Sequence, residues 1–192
     1  SEAAAALRRV IGNEAFRFSY LAESERLLPE EKKIYQALID TQDGRFTMAD
    51  DVLADSLHTL SRFLAKHHGR KVILLIDEYD VPLDKAFRSG YYDEMISLIR
   101  GMFSNALKTN DNLQFAVLTG CLRISKESIF TGLNNLNVLS VTDVQYDDYF
   151  GFTDREVREM LEYYDISDSY DAVNSWYDGY RFGDAEVYCP WN

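Results

Sequence analysis

Two apolar runs constrain the fold of this chain more than any other feature. Residues 72–76 read Val-Ile-Leu-Leu-Ile, and residues 113–118 form a second run rich in strand-favouring residues. A strand that is apolar on both sides is typical of a parallel sheet with a helix layer on each face. We therefore predict two buried strands and helices that cover both faces of the sheet.

A helical pattern separates the two runs and predicts how the strands are connected. Apolar residues recur at helical spacing from Tyr91 to Lys108, and Asn110-Asp111-Asn112 is a turn signal before the second run. Strand, helix and strand in this order imply a right-handed parallel crossover. The sequence thus predicts that the two strands are parallel neighbours.

Three further helices are predicted before the first strand. The first is amphipathic and extends from Leu7 to Leu21, and the second begins at Leu28-Pro29. The third begins with a spacing typical of a capping box, at Thr47, and ends at Gly69. These patterns predict an α/β fold.

The chain has a different composition beyond residue 140. Acidic residues dominate this segment, and Thr153 with Glu156 has the spacing of a capping box at the start of a helix. Turn signals at Asp178-Gly179 and Gly183-Asp184 predict a closing hairpin. We therefore expect a core over residues 1–140 and an acidic, mainly helical extension with a terminal hairpin over residues 141–192.

Composition excludes several classes of protein. The chain has 20 basic and 32 acidic residues, a net charge of −12, so nucleic acid is not the expected partner, because phosphate contacts need clustered Lys and Arg. No apolar run approaches the roughly 18 residues that a membrane span requires. Only two cysteines occur, Cys121 and Cys189, a pattern that favours reduced thiols and a cytoplasmic location.

Two acids, Asp77 and Glu78, directly follow the first predicted strand. Ligands of open α/β sheets bind outside the carboxyl ends of the strands. An NTPase needs one carboxylate to hold hydrated Mg²⁺ and a second group to orient the attacking water, so Asp77 is a candidate for the first role and Glu78 for the second. The alternative is that both acids only end the strand, while Asp80 caps the turn before Pro82.

Polar residues also follow the second strand. Thr119 stands at its tip and Arg123 lies four residues further on. An Arg is suited to sensing or neutralising a terminal phosphate by its permanent charge and its forked donors. The alternatives are that Thr119 satisfies a strand-end turn and that Arg123 forms a surface ion pair.

One part of a nucleotide site is missing from the sequence. A phosphate-binding loop reads G-x-x-x-x-G-K-[ST], and the chain contains no Gly-Lys dipeptide. Two other functions therefore stay open. The carboxylates could belong to a metal-dependent hydrolase that has further ligands, or the chain could be a non-catalytic interaction module whose acidic extension docks a basic partner.

Several motifs cover most of the chain from residue 70 onward. They are ILLIDEYDVPL (73–83), GYYDEM (90–95), FAVLTG (115–120), LRISKESIF (122–130), GLNNL (132–136), YFGFT (149–153) and WYDGYRFG (176–183). In this order they resemble the AAA-ATPase-like family of bacterial proteins, in which a PD-(D/E)XK nuclease-like region often follows the ATPase part. The segment around the two acids is similar to the Walker B segment of that family.

The resemblance implies a P-loop NTPase fold whose cofactors are ATP and Mg²⁺. Asp77 matches the Mg²⁺-binding acid, Glu78 the water-activating acid, Thr119 a sensor-like strand end, and Arg123 an Arg that approaches the phosphates. Because the family's Walker A segment would precede this chain and the nuclease-like region would follow it, we expect a fragment that does not hydrolyse ATP by itself. The strand that ends at Thr119 would then expose an edge. That edge would pair with a second copy or a complementary piece, or be covered by the C-terminal segment.

Overall fold

A computed structural model describes residues 2–121, 129–130 and 136–189 of the chain. Its contacts divide the chain into two units, Ser1–Asn134 and Asn135–Asn192. The described elements of the first unit are α1 (Glu2–Phe16), α2 (Pro29–Ile39), β1 (Thr41–Gln42), β2 (Arg45–Phe46), α3 (Asp50–His68), β3 (Val72–Ile76), α4 (Val81–Arg88), α5 (Tyr92–Leu107) and β4 (Leu113–Leu118). Those of the second unit are β5 (Phe152–Thr153), α6 (Asp154–Tyr163), α7 (Tyr170–Tyr177), β6 (Tyr180–Phe182) and β7 (Ala185–Tyr188). Among the described helices, none combines the length and the apolar composition needed to cross a bilayer.

The two apolar runs form a parallel pair of strands, as the sequence predicts. In the register of β3 and β4, Ile73 lies opposite Phe115 and Leu75 lies opposite Val117. The connection between them contains α4 and α5, and α5 coincides with the predicted helix to within one residue at each end. The mixed α/β class is therefore confirmed.

The prediction that helices cover both faces of this sheet is wrong for the described residues. The face that carries Val72, Leu74 and Ile76 is half-buried, and α3 and α5 contact the sheet. The opposite face is open, because Ile73 is 53 %, Leu75 72 %, Phe115 49 % and Val117 45 % exposed. The apolar pattern correctly predicts the strands, but it does not show which chain segment covers each face of the sheet.

The core of the first unit lies where the long helices pack together, and α3 packs most extensively against α5. Leu53 and Phe63 of α3 are buried, as are Ile99 and Phe103 of α5. Helix α3 ends as predicted at Gly69, which has a φ of +66°. That left-handed conformation suits glycine because it has no Cβ.

The start of α3 differs from the sequence prediction. The N-cap is Ala49, without a side-chain cap, so the capping box expected at Thr47 is not formed. The Thr47 backbone N–H and its hydroxyl both donate to the carbonyl of Asp40. Thr47 thus closes the base of the small β1–β2 hairpin, whose turn residues Asp43 and Gly44 both have positive φ. Asp43-Gly44 is an Asp-Gly turn signal of the kind that indicates a hairpin.

The second unit confirms the predicted capping box and the terminal hairpin. The Thr153 hydroxyl oxygen accepts a hydrogen bond from the Glu156 N–H, and the Glu156 carboxylate accepts one from the Thr153 N–H at 2.9 Å. Strands β6 and β7 pair antiparallel, and β5 pairs with the other edge of β7. The two-residue strand β5 was not predicted, because so short a strand has no periodicity to detect.

A polar network joins α6, α7 and β7 within the second unit. Tyr170 and Tyr188 donate hydrogen bonds to the Asp154 carboxylate at 2.6 and 2.9 Å, and Arg158 donates to it at 2.7 Å. These bonds, led by that of Tyr170, hold the pKa of Asp154 at about 2. Burial and the neighbouring Tyr170 raise the pKa of the Tyr188 phenol. The network therefore stabilises the carboxylate form of Asp154.

Candidate functional site

The carboxyl ends of β3 and β4 bring Asp77 and Thr119 together. The Thr119 hydroxyl donates a hydrogen bond to Asp77 Oδ1. Backbone pairing continues past the strands, since the Thr119 N–H donates to the carbonyl of Ile76 at 2.9 Å and the Tyr79 N–H to the carbonyl of Thr119 at 3.0 Å. The threonine thus fixes the orientation of the aspartate at the edge where ligands of parallel sheets bind.

Glu78 adopts an unusual backbone conformation for a residue other than glycine. Its φ is +52°, in the left-handed region that costs a residue with a side chain of the order of 1–3 kcal/mol. The Glu78 N–H donates to Asp77 Oδ1 at 3.0 Å and approaches Thr119 Oγ1 at 3.4 Å. Strand β3 is therefore followed by a strained turn, in which the Glu78 N–H contacts both Asp77 and Thr119.

Both candidate acids are accessible. Asp77 and Glu78 are exposed, and within the part of the chain that the structure describes neither takes part in an ion pair. A carboxylate that is open to solvent and oriented through one oxygen is able to bind a ligand with its other oxygen. Arg123 lies outside the described residues.

Gly120 allows a close approach that sequence reasoning missed. An ideal Cβ at Gly120 would lie 2.7 Å from Asp80 Oδ1 and 2.8 Å from the ring of Tyr79. Asp80 is buried and is the N-cap residue of α4, but its side chain makes no capping hydrogen bond to that helix. The signal was the glycine that directly follows a strand end, where a near backbone often excludes a side chain. Gly120 is thus needed for space next to Thr119.

The structure also limits the kind of metal site that Asp77 could form. Among the described residues, no group of three or more His, Cys, Asp or Glu side chains is placed to hold a metal ion. Mg²⁺ is commonly bound by one or two carboxylates together with substrate phosphates and waters, so Asp77 fits a magnesium ion that arrives with a nucleotide. The ligand group that a hydrolase with three or more protein ligands would need is not present among the described residues.

The arrangement defines a mixed α/β protein with an oriented carboxylate at the carboxyl end of a parallel pair of strands. The model of the predicted AAA-ATPase family matches residues 13–130, and the chain therefore belongs to this family.

A curated relative extends the comparison. An uncharacterized protein in the vnfD 5′ region of Azotobacter chroococcum mcd 1 is 34 % identical over 125 residues, which are 65 % of this chain and 24 % of that protein. The chain thus spans about a quarter of the length of this relative. No solved structure matches the chain.

Proposed function

We propose that this chain supplies the magnesium-binding and water-orienting half of an ATP-hydrolysing site. The observation that carries the proposal is the hydrogen bond from Thr119 to Asp77 at the carboxyl edge of the parallel strands. Membership of the predicted AAA-ATPase family supports the same chemistry. The substrate that the site would act on is the terminal phosphate of ATP.

Each site residue has a distinct role in this proposal. Asp77 would hold Mg²⁺ with its carboxylate, one oxygen of which, Oδ1, is fixed by Thr119 and the Glu78 N–H. The Glu78 carboxylate, exposed at the same edge, would orient the attacking water. Arg123 approaches the phosphates, a role that rests on the family resemblance alone. ATP and Mg²⁺ would supply the leaving group and the charge neutralisation.

We further propose that the phosphate-binding loop comes from elsewhere in a longer protein. The chain has no Gly-Lys dipeptide, and one face of the β3–β4 sheet is open. Parallel sheets are almost always covered on both faces, so further segments are expected to pack there. A further strand is expected at the outer edge of β4, from the longer protein or from a second copy. The isolated chain is therefore expected to show no ATP hydrolysis.

Thermal unfolding of a longer protein that contains this segment tests the proposal. Mg²⁺-ATP should raise the melting temperature of the wild type, because a ligand that binds only the native state stabilises it. Asp77→Asn should abolish the rise. The matched control is Asp111→Asn, an exposed acid in the turn before β4, which should leave the rise intact.

Two results would contradict the proposal. Equal stabilisation of the wild type and Asp77→Asn would remove Asp77 from the metal role. Rapid ATP hydrolysis by the isolated chain would show that no phosphate loop from outside is needed.

A second candidate function is favoured by the distribution of charge. Residues 135–192 contain thirteen acidic and three basic residues, so the second unit carries −10 of the net charge of −12. Such a surface attracts basic partners over distances of about a Debye length. If the chain is a docking module instead, a lysine-rich peptide should bind equally well with and without Mg²⁺-ATP, and Asp77→Asn should have no effect on it.

A further inference from the structure

An open cleft lies where α4 ends and α5 begins, and the proposed ATP chemistry does not use it. Its volume is about 500 Å³. The residues that line it are Phe87, Gly90, Tyr91, Tyr92, Asp93 and Glu94. Three aromatic residues and two acidic residues thus line one recess.

The walls of the cleft are held by a rigid connection between the two helices. Gly90 has a φ of +79°, and the Tyr91 N–H donates to the carbonyl of Ala86 at 3.0 Å, five residues back. This is the hydrogen-bond pattern of a Schellman motif at the end of α4. Ala86 and Met95, on either side of the connection, are buried in the core. The recess is therefore preformed, which lowers the entropic cost of binding a ligand there.

The aromatic wall is unusually accessible. Phe87 is 72 % exposed. Its ring stands at 89° to that of Tyr92, with the two centroids 6.0 Å apart. An aromatic ring presents negative partial charge on its face, and a cation within about 6 Å of the centroid is attracted to it. Phe87 and Tyr92 both line the cleft, so their rings are the aromatic groups closest to a ligand there.

The charges beside the rings also favour a cation over an anion. Asp93 and Glu94 lie in the first turn of α5 and are exposed. A bound anion would have to approach the like charge of Asp93, whereas a cation would be attracted by it. Arg88, the cation nearest in sequence, is paired with Asp84 at 3.0 Å.

We propose that this cleft binds a single cationic side chain, the guanidinium or ammonium group of an Arg or Lys presented by another polypeptide segment. The cation lies against the rings of Phe87 and Tyr92, and the Asp93 carboxylate draws it in. Recognition of this kind is independent of the proposed ATP site.

Titration with a minimal peptide tests the inference. The probe is acetyl-Gly-Arg-Gly-amide, and the readout is the change in backbone amide chemical shifts of the complete chain. The amides of Gly90 to Glu94 should shift on titration. Replacing the arginine by citrulline, which is similar in shape but neutral, should abolish the shifts. Phe87→Leu should weaken binding by roughly three- to tenfold, because the cation–π contact is lost while an apolar side chain is kept.

A matched control separates the cleft from general attraction to an acidic protein. Tyr163 is an exposed aromatic residue on an acidic helix of the second unit, and Tyr163→Leu should leave the affinity unchanged. The inference is overturned if Tyr163→Leu and Phe87→Leu weaken binding equally, if the citrulline peptide shifts the same amides, or if inorganic phosphate shifts them in preference to the arginine peptide.

Discussion

Gly120→Ala tests whether the strand-end geometry depends on close packing. The added Cβ would stand 2.7 Å from Asp80 Oδ1 and 2.8 Å from the Tyr79 ring. Neither group is free to yield, because Asp80 is buried and the Tyr79 ring packs on Phe130, with their centroids 5.4 Å apart. We therefore expect the turn after β4 to shift away from the turn after β3.

The expected magnitude follows from this overlap. Inserting an extra methyl group into a closely packed site costs about 1–3 kcal/mol. The matched control is Gly101→Ala in α5, where the nearest atom to an added Cβ is the Cβ of Ala54 at 3.9 Å. That change fits the available space and should stabilise the helix by about 1 kcal/mol. The two identical substitutions are thus expected to have opposite effects.

Hydrogen exchange of the backbone amides of β3 and β4 is the appropriate assay. Both tryptophans lie beyond residue 135 in the sequence, so their fluorescence reports on the second unit rather than on the strand ends. Gly120→Ala should accelerate exchange of the strand amides, and Gly101→Ala should slow it. Protection that is unchanged or increased in Gly120→Ala would refute the packing argument.

Three further predictions concern strain, charge and burial. Glu78→Gly should stabilise the first unit by up to about 1 kcal/mol in urea unfolding, because glycine adopts the left-handed conformation without a Cβ penalty. A loss of stability would show that Glu78 is not strained. The pKa of Asp154 is lowered from 3.8 to about 2 in the folded state, so its stabilising contribution is present above pH 4 and is lost as pH falls towards 2. In Asp154→Asn, the stability of the second unit, followed by tryptophan fluorescence, should therefore no longer fall through this contribution between pH 4 and pH 2. An acid-unfolding curve identical to that of the wild type would contradict the network. Leu75→Lys on the open sheet face should change the unfolding free energy of the chain by less than about 0.5 kcal/mol. Leu83→Ala in the core should lower the unfolding free energy by about 2–5 kcal/mol. A large loss of stability in Leu75→Lys would mean that the face is covered.

The parallel strands could be predicted because their signal is local and strong. Five consecutive apolar residues before Asp77, a helical period and a second apolar run together define a strand–helix–strand unit. The capping box at Thr153 was predictable for the same reason, since it depends on two residues three positions apart. Features set by neighbouring residues are the ones that sequence reasoning recovers.

The remaining features depend on contacts between distant residues. The open face around Leu75 could not be predicted, because an apolar side chain does not specify what covers it. The close approach at Gly120 involves residues about 40 positions apart in the chain. The positive φ of Glu78 occurs where its N–H contacts Thr119 Oγ1, 41 positions away in the chain. The aromatic cleft at Phe87 likewise forms only when α4 and α5 are joined at a fixed angle.

The most direct measurement of the central claim is binding of Mn²⁺, a spectroscopic substitute for Mg²⁺, in the longer protein that contains this segment. Electron paramagnetic resonance would count the bound ion in the presence of ATP. The proposal predicts that Asp77→Asn weakens ATP-dependent Mn²⁺ binding by at least about tenfold, since a carboxylate ligand is lost, while Asp111→Asn binds like the wild type. Wild-type affinity in Asp77→Asn would contradict the proposal.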